Sequence, residues 1–206
     1  MTAGRVLLLR HGTTDWNTDG RFQGQADVPL NADGVALAER TAGVLAGCGA
    51  TRVISSDLSR ARETARPVAA ALGLEIELDP RLREVDVGSW AGLDMETVGR
   101  QVPDFWPALR EGRDFRRSPE GETATESGER VARALREHAA AASTEDVLLV
   151  IGHGLSLRIA ALLLMGLDYS HARLFAGMPN CGWSELEPGE AYWRLRAFNR
   201  VAAALS

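Results

Sequence analysis

The sequence predicts an α/β fold, a three-layer α/β/α sandwich around a mainly parallel sheet with a helical insertion near the active site. Three observations carry that expectation. The apolar run Val6-Leu7-Leu8-Leu9 ends abruptly in Arg10-His11-Gly12, and Val147-Leu148-Leu149-Val150-Ile151 ends in Gly152-His153-Gly154. Strand and helix signals alternate between these two runs, as in a chain of parallel strands joined by crossover helices. The alternation breaks between Gly88 and Thr125, where Gly, Pro, Arg and aromatic residues crowd together. In α/β folds ligands bind at the carboxyl ends of parallel strands, so the two imidazoles are expected to face one pocket.

Each element follows from local chemistry. After the first strand comes a polar loop from Thr13 to Asn31, holding Trp16, Phe22 and Pro29. Asn31 or Asp33 caps a helix whose apolar positions are Val35, Leu37, Ala38, Ala42 and Leu45, and Gly47 and Gly49 stop it. Arg52 to Ser56 reads as a second strand, Leu58 to Leu72 as a helix with Pro67 as a local flaw, and Glu75 to Leu78 as an alternating third strand. Short amphipathic pieces lie around Met95 to Val102 and Phe105 to Leu109 inside the irregular stretch. Glu126 to Ala142 restores a long helix, and Leu155 to Leu167 reads as a buried one. Cys181 to Leu186 and Tyr192 to Phe198 form a closing hairpin turned by Pro188-Gly189. One domain spanning residues 1–206 is expected, with about 88–125 as a lid-like insertion.

Composition excludes several function classes. The formal charge of −5 argues against general nucleic-acid affinity, because a phosphate-backbone binder normally presents a basic face. All 23 basic residues are arginine, which excludes Schiff-base chemistry and leaves Arg or protonated His as the only side-chain cations for an anionic ligand. Leu155 to Leu167 is too short, and too interrupted by Arg158, to cross a membrane. Cys48 and Cys181 lack CxxC spacing and the first residues lack a secretory pattern, so a cytoplasmic chain with free thiols is expected. Four histidines without HxH or HExxH spacing supply no metal cluster, and no cofactor is expected.

The remaining polar residues make an inventory suited to a phosphoryl group. Arg10 precedes His11, Asn17 lies six residues on, and Arg62 sits within Ser55 to Ala65. Glu84 follows Arg81-Leu82-Arg83 and precedes Gly88-Ser89-Trp90-Ala91-Gly92. Guanidinium groups match phosphate oxygens bidentately, and the helix beginning at Gly154 offers backbone N–H groups. Taken alone, Glu84 among Arg81, Arg83 and Asp86 also reads as a surface ion-pair partner.

In order and spacing these five segments resemble the histidine phosphatase superfamily, also called phosphoglycerate mutase-like, over almost the whole chain. The resemblance implies that His11 is a nucleophile that becomes a transient phosphohistidine. Arg10, Arg62, His153 and Gly154 would surround the phosphoryl group, with Asn17 as a further contact. Glu84 would protonate the leaving oxygen and later take a proton from water, a role served by partial desolvation beside the bound phosphate. The stretch Gly177 to Trp183 resembles a group within the family that includes glucosyl-3-phosphoglycerate phosphatases.

Other candidates follow from position. Gln23 and Gly24 occupy a loop that approaches substrate in the family and that also reads as a plain turn, and Arg116 and Arg117 lie before a Gly-Glu-Thr turn where they would either contact an acidic substrate tail or be solvated. Arg60 and Arg66 read by default as exposed helix residues. The cofactor-dependent mutases carry a longer insertion after the glutamate, whereas here Val85-Asp86-Val87-Gly88 follows Glu84. The resemblance therefore implies a phosphomonoesterase for a small acidic phosphorylated metabolite, a sugar phosphate or a phosphoglycerate derivative. The alternatives are a cofactor-dependent phosphoglycerate mutase and a non-catalytic phosphoryl-binding module. The expected partner is the small substrate, with a homodimer as the default assembly.

Overall fold

The computed structural model describes residues 2–202. In chain order the elements are β1 (Arg5–Arg10), α1 (Asp15–Thr18), α2 (Ala32–Leu45), β2 (Arg52–Ser55), α3 (Ser59–Leu72), β3 (Ile76–Leu78), α4 (Met95–Gln101), α5 (Phe105–Glu111), α6 (Ala124–Ala140), β4 (Val147–Gly152), α7 (Gly154–Leu164), β5 (Trp183–Glu187) and β6 (Arg194–Arg200). The strands form one sheet in the order β3-β2-β4-β1-β5-β6. Strands β1 to β4 pair in parallel, and β5 and β6 close the sheet as an antiparallel pair.

Successive side chains of a strand point to opposite faces, and β1 uses both. Val6 and Leu8 join Leu148, Val150, Val131, Leu135 and Leu157 in a core beneath α6 and α7. Leu7 and Leu9 join Leu149, Ile151, Leu45, Ala61 and Val68 beneath α2 and α3. Each fully buried Leu contributes about 1.5–3 kcal/mol of transfer free energy, so both helical layers are held against the sheet. This is the three-layer sandwich expected from the sequence.

Helix boundaries follow their caps. Asn31 starts α2 by accepting the Gly34 N–H at 2.9 Å. Helix α6 begins two residues before the expected Glu126, because Thr123 and Glu126 form a reciprocal capping box in which Glu126 reaches back to the Thr123 N–H at 2.8 Å. The polar loop after β1 contains the one-turn α1, capped by Thr14 and Asn17 in the same way.

Two features place the site. Arg10 pairs with Gly152 in the β1–β4 register, so His11 and His153 leave adjacent parallel strands at the same level. From there the chain runs to α2 on one face and to α7 on the other, which opens a crevice between the strands. The insertion forms its own core from Val85, Val87, Trp90, Val98 and Phe105, with Phe22 and Leu155 packed against it. Trp90 and Phe105 meet edge to face at 5.8 Å, and Phe105 and Phe115 at 6.0 Å. Because Phe22 and Leu155 flank the two histidine loops, this aromatic cluster roofs the crevice. Among the described residues no helix is long and apolar enough to cross a membrane.

Candidate active site

His11 and His153 converge at the strand ends, with ring centroids 5.2 Å apart. His11 Nδ1 lies 2.6 Å from the Gly12 carbonyl oxygen, which can only accept, so Nδ1 carries the proton and Nε2 keeps its lone pair. Burial first, then the Arg60 and Arg10 cations, hold the His11 imidazole well below its usual range. Burial and the same two arginines, with His11, do the same to His153. Both rings are therefore neutral at pH 7. His153 Nε2 contacts Ser56 Oγ at 2.9 Å, and its Nδ1 is buried without a partner.

A cavity of about 190 Å³ opens above His11. Its cations are Arg10, Arg60, Arg21 and Arg117. Arg60 corrects the expectation from sequence: it is fully buried, not exposed, and it lines the cavity where Arg62 was expected. Residues two apart on a helix point about 200° from each other, so 60 and 62 cannot both face the cleft. Gly12 fixes which one does, because its N–H bonds Thr64 Oγ1 at 2.9 Å and Thr64 lies one turn beyond Arg60 on α3. Arg62 is half-buried off the cavity wall, and Arg66 is exposed as expected. Arg60 donates to the carbonyls of Gly24 and Ala26, both at 2.7 Å, and burial pushes its guanidinium down to about 10. Arg10 donates to the Met178 carbonyl at 2.6 Å and is also pushed down by burial.

The two insertion arginines separate. Arg117 is 6 % exposed and lines the cavity, its guanidinium carbon 4.5 Å from the Phe115 ring centroid. Arg116 points the other way, to Glu126 and the Gly121 carbonyl at 2.5 Å each, and does not line the cavity. The capping box that starts α6 draws Arg116 to its carboxylate.

Glu84 stands out by what it lacks. Arg81 pairs with Asp79 and Glu137, and Arg83 with Asp57, so the neighbouring cations are spent and Glu84 joins no ion pair among the described residues. Its Oε1 accepts the N–H groups of Val85 at 2.9 Å and Ser156 at 2.8 Å, and its Oε2 accepts Leu155 N–H at 3.1 Å. The first amides of α7, expected to serve phosphate, thus hold the carboxylate. A carboxylate has about four lone-pair sites, and three are filled. One site on Oε2 is left for a proton. Arg130 fixes the backbone underneath by donating to the carbonyls of Arg81, Arg83 and Glu84 at 2.8, 3.0 and 3.2 Å while pairing with Glu122.

The other predicted residues fall at the rim. Asn17 Oδ1 accepts from Thr14 N, Thr14 Oγ1 and Asn180 Nδ2, all at 3.2 Å, which leaves its NH₂ group for a ligand. Gln23 is buried with Oε1 unpartnered, and Gly24 lines the cavity at φ +51°, where a Cβ would sit 2.5 Å from Val87 Cγ2. Gly154 stands against Arg10, whose Nε would lie 3.1 Å from a Cβ there.

A family model described as histidine phosphatase superfamily (branch 1) matches residues 6–201. The chain belongs to this superfamily. Probable phosphoglycerate mutase GpmB of Enterobacter sp. (strain 638) is 36 % identical over 190 residues, covering 92 % of this chain and 87 % of that protein. A mycobacterial glucosyl-3-phosphoglycerate phosphatase in complex with VO₃ has TM-score 0.86 at 31 % identity, covering 95 % of this chain and 98 % of that one. A putative α-ribazole-5'-P phosphatase of Escherichia coli has TM-score 0.85 at 25 % identity, covering 99 % and 100 %.

For a histidine phosphatase the arrangement has the parts of an in-line transfer site: a neutral imidazole with a free lone pair, fixed cations, and a carboxyl group with one open position. Cys181 is no rival nucleophile, since burial pushes its thiol up to about 11. Among the described residues no group of three or more His, Cys, Asp or Glu could hold a metal ion. Sequence reasoning did not single out Asn180 or Ser56. Asn180 Nδ2 donates to the carbonyls of His11 and Gly12 at 3.1 and 3.0 Å, a long-range contact with no local signal.

Proposed function

We propose that the protein is a phosphomonoesterase that hydrolyses a small acidic phosphorylated metabolite through a phosphohistidine on His11. The observation that carries this reading is the His11 tautomer. The Gly12 carbonyl accepts a hydrogen bond from Nδ1–H at 2.6 Å, leaving the Nε2 lone pair free to attack while Arg10 and Arg60 offset charge on the phosphoryl oxygens. As the Nε2–P bond forms and the P–O bond breaks, Glu84 gives the leaving oxygen its Oε2 proton. Water then attacks phosphorus, loses a proton to Oε2, and releases inorganic phosphate and neutral His11. His153 offers Nδ1 to the phosphoryl group, with Nε2 braced by Ser56.

Support for hydrolysis comes from the short connection after Glu84 and from the likeness to solved phosphatases. The name of the GpmB relatives supports the second reading, a mutase. Phosphorus NMR of 3-phosphoglycerate turnover separates them: hydrolysis gives inorganic phosphate, and a mutase gives the 2-isomer without it. A His11→Asn variant that still turns over an aryl phosphate, or acid-labile label absent from the wild-type protein during turnover, refutes the nucleophile. Unchanged activity in the presence of a chelator is expected.

A further inference from the structure

A second cavity, of about 230 Å³, adjoins the first and shares Arg10, Glu84 and Leu155 with it. Gly154, Arg158, Gly177 and Met178 complete its lining. A Cβ at Gly177 would meet nothing within 4 Å, so the wall there is open. We propose that this lobe receives the alcohol part of the substrate and that Arg158 is a specificity-determining residue binding a carboxylate on it. The proposal rests on the phosphomonoesterase reading and assigns it a direction for the leaving group.

The direction follows from Glu84. Whatever group protonates the leaving oxygen must touch it, and Glu84 borders both lobes, so an alcohol departing past Glu84 enters the second one. Arg158 lies one turn along α7 from Gly154, on the same side of the helix. Arg10 is engaged at the phosphoryl end, which makes Arg158 the one cation lining this lobe that phosphate does not use.

The guanidinium itself is under-satisfied. Its Nη1 donates to the Phe175 carbonyl at 3.2 Å, its Nε is buried without an acceptor, and Arg158 takes part in no ion pair among the described residues. A guanidinium with unused donors at the wall of this lobe gains charge-assisted bonds from a carboxylate placed there. An uncharged alcohol gains nothing comparable.

The test uses two substrates that differ only at this group, 3-phosphoglycerate and glycerol 3-phosphate. The readout is the ratio of their kcat/KM values, which a general loss of folded protein leaves alone. Wild type is expected to favour 3-phosphoglycerate. Arg158→Gln should cut that ratio tenfold or more through KM, Arg158→Lys should cut it less, and Arg117→Gln should leave it within twofold. A wild type without preference, an unchanged ratio in Arg158→Gln, or a ratio that moves in Arg117→Gln instead overturns the proposal. Calorimetric Kd values for the two compounds on the same proteins are read in parallel. If wild type hydrolyses neither, the phosphatase reading fails, while the Kd ratio still decides Arg158 by the same criteria.

Discussion

Replacing Arg60 by Met should remove most of the activity at a modest cost in stability, and the same change at Arg62 should do neither. Arg60 is fully buried and pushed down to about 10 by burial. Against the ordinary guanidinium range, that depression corresponds to roughly 3 kcal/mol spent on keeping the charged form in the folded protein. Because the folded value is the lower one, the penalty is present at all pH values below about 10 and fades only above it. Met lifts that penalty but deletes two charge-assisted bonds to the Gly24 and Ala26 carbonyls, worth about 1.5–3 kcal/mol each. The balance is a loss of about 0–3 kcal/mol, or a fall in Tm of at most roughly 10 °C for a domain of this size. Activity has no such compensation. Removing one fixed charge-stabilising group from a transfer site costs about 10²–10³-fold in kcat. Turnover of an aryl phosphate, read beside thermal unfolding for both variants, checks each half. An Arg62→Met enzyme as crippled as Arg60→Met, or an Arg60→Met enzyme within threefold of wild type, refutes the assignment.

Three further outcomes are expected. Gly24→Ala forces an L residue into φ +51° and a Cβ to within 2.5 Å of Val87 Cγ2, so chemical denaturation should show a loss of roughly 2–4 kcal/mol; a loss below about 0.5 kcal/mol contradicts the strain argument. Arg130→Met frees the Glu84 backbone, and a misplacement of about 1 Å costs on the order of 10²-fold. The loss should be larger for an alkyl phosphate, which needs its leaving oxygen protonated, than for a nitrophenyl phosphate, and equal losses count against positioning. His11 and His153 stay neutral in the folded chain while the unfolded chain takes up protons below about pH 6.5. Their contribution is therefore complete above that pH and falls below it by up to about 2.7 kcal/mol per pH unit for the pair. Urea unfolding at successive pH values should lose about half of that slope in a His11→Asn variant.

Most of the architecture is legible in the sequence because it is written in local periods. Val6 to Leu9 and Val147 to Ile151 are continuous apolar runs, as strands buried on both faces must be, and each runs straight into its histidine. The errors fall where a side chain's direction depends on something distant. Arg60 and Arg62 are alike in composition and neighbourhood. Only the docking of α3 through Thr64 onto Gly12 turns one inward and the other out. Arg116 and Arg117 are split by the Thr123 capping box, which the sequence carries as Thr-x-x-Glu and which would have pointed to Glu126 as the partner of Arg116. Asn180 carries no local signal at all, since its acceptors lie at the far end of the chain.

The cost of burying cations here is tied to the imidazole they surround. Burial, and after it the Arg60 and Arg10 cations, disfavours protonation of His11 and leaves its Nε2 lone pair available at neutral pH. A bound dianion reverses the balance, because it offsets the two guanidinium charges and becomes the acceptor that Arg10 Nε and His153 Nδ1 lack. Before substrate arrives, the same positive field holds His11 in its reactive neutral form. Once phosphate is seated, that field is directed at the phosphoryl oxygens. Glu84 is kept out of the exchange by its three backbone donors and by the ion pairs that occupy Arg81 and Arg83. Were it salt-bridged to either arginine, it would neutralise a cation and lose its open proton site together. The pairing of Arg81 with Asp79 and of Arg83 with Asp57 therefore leaves Glu84 without a cation partner, although neither pair touches the cavity.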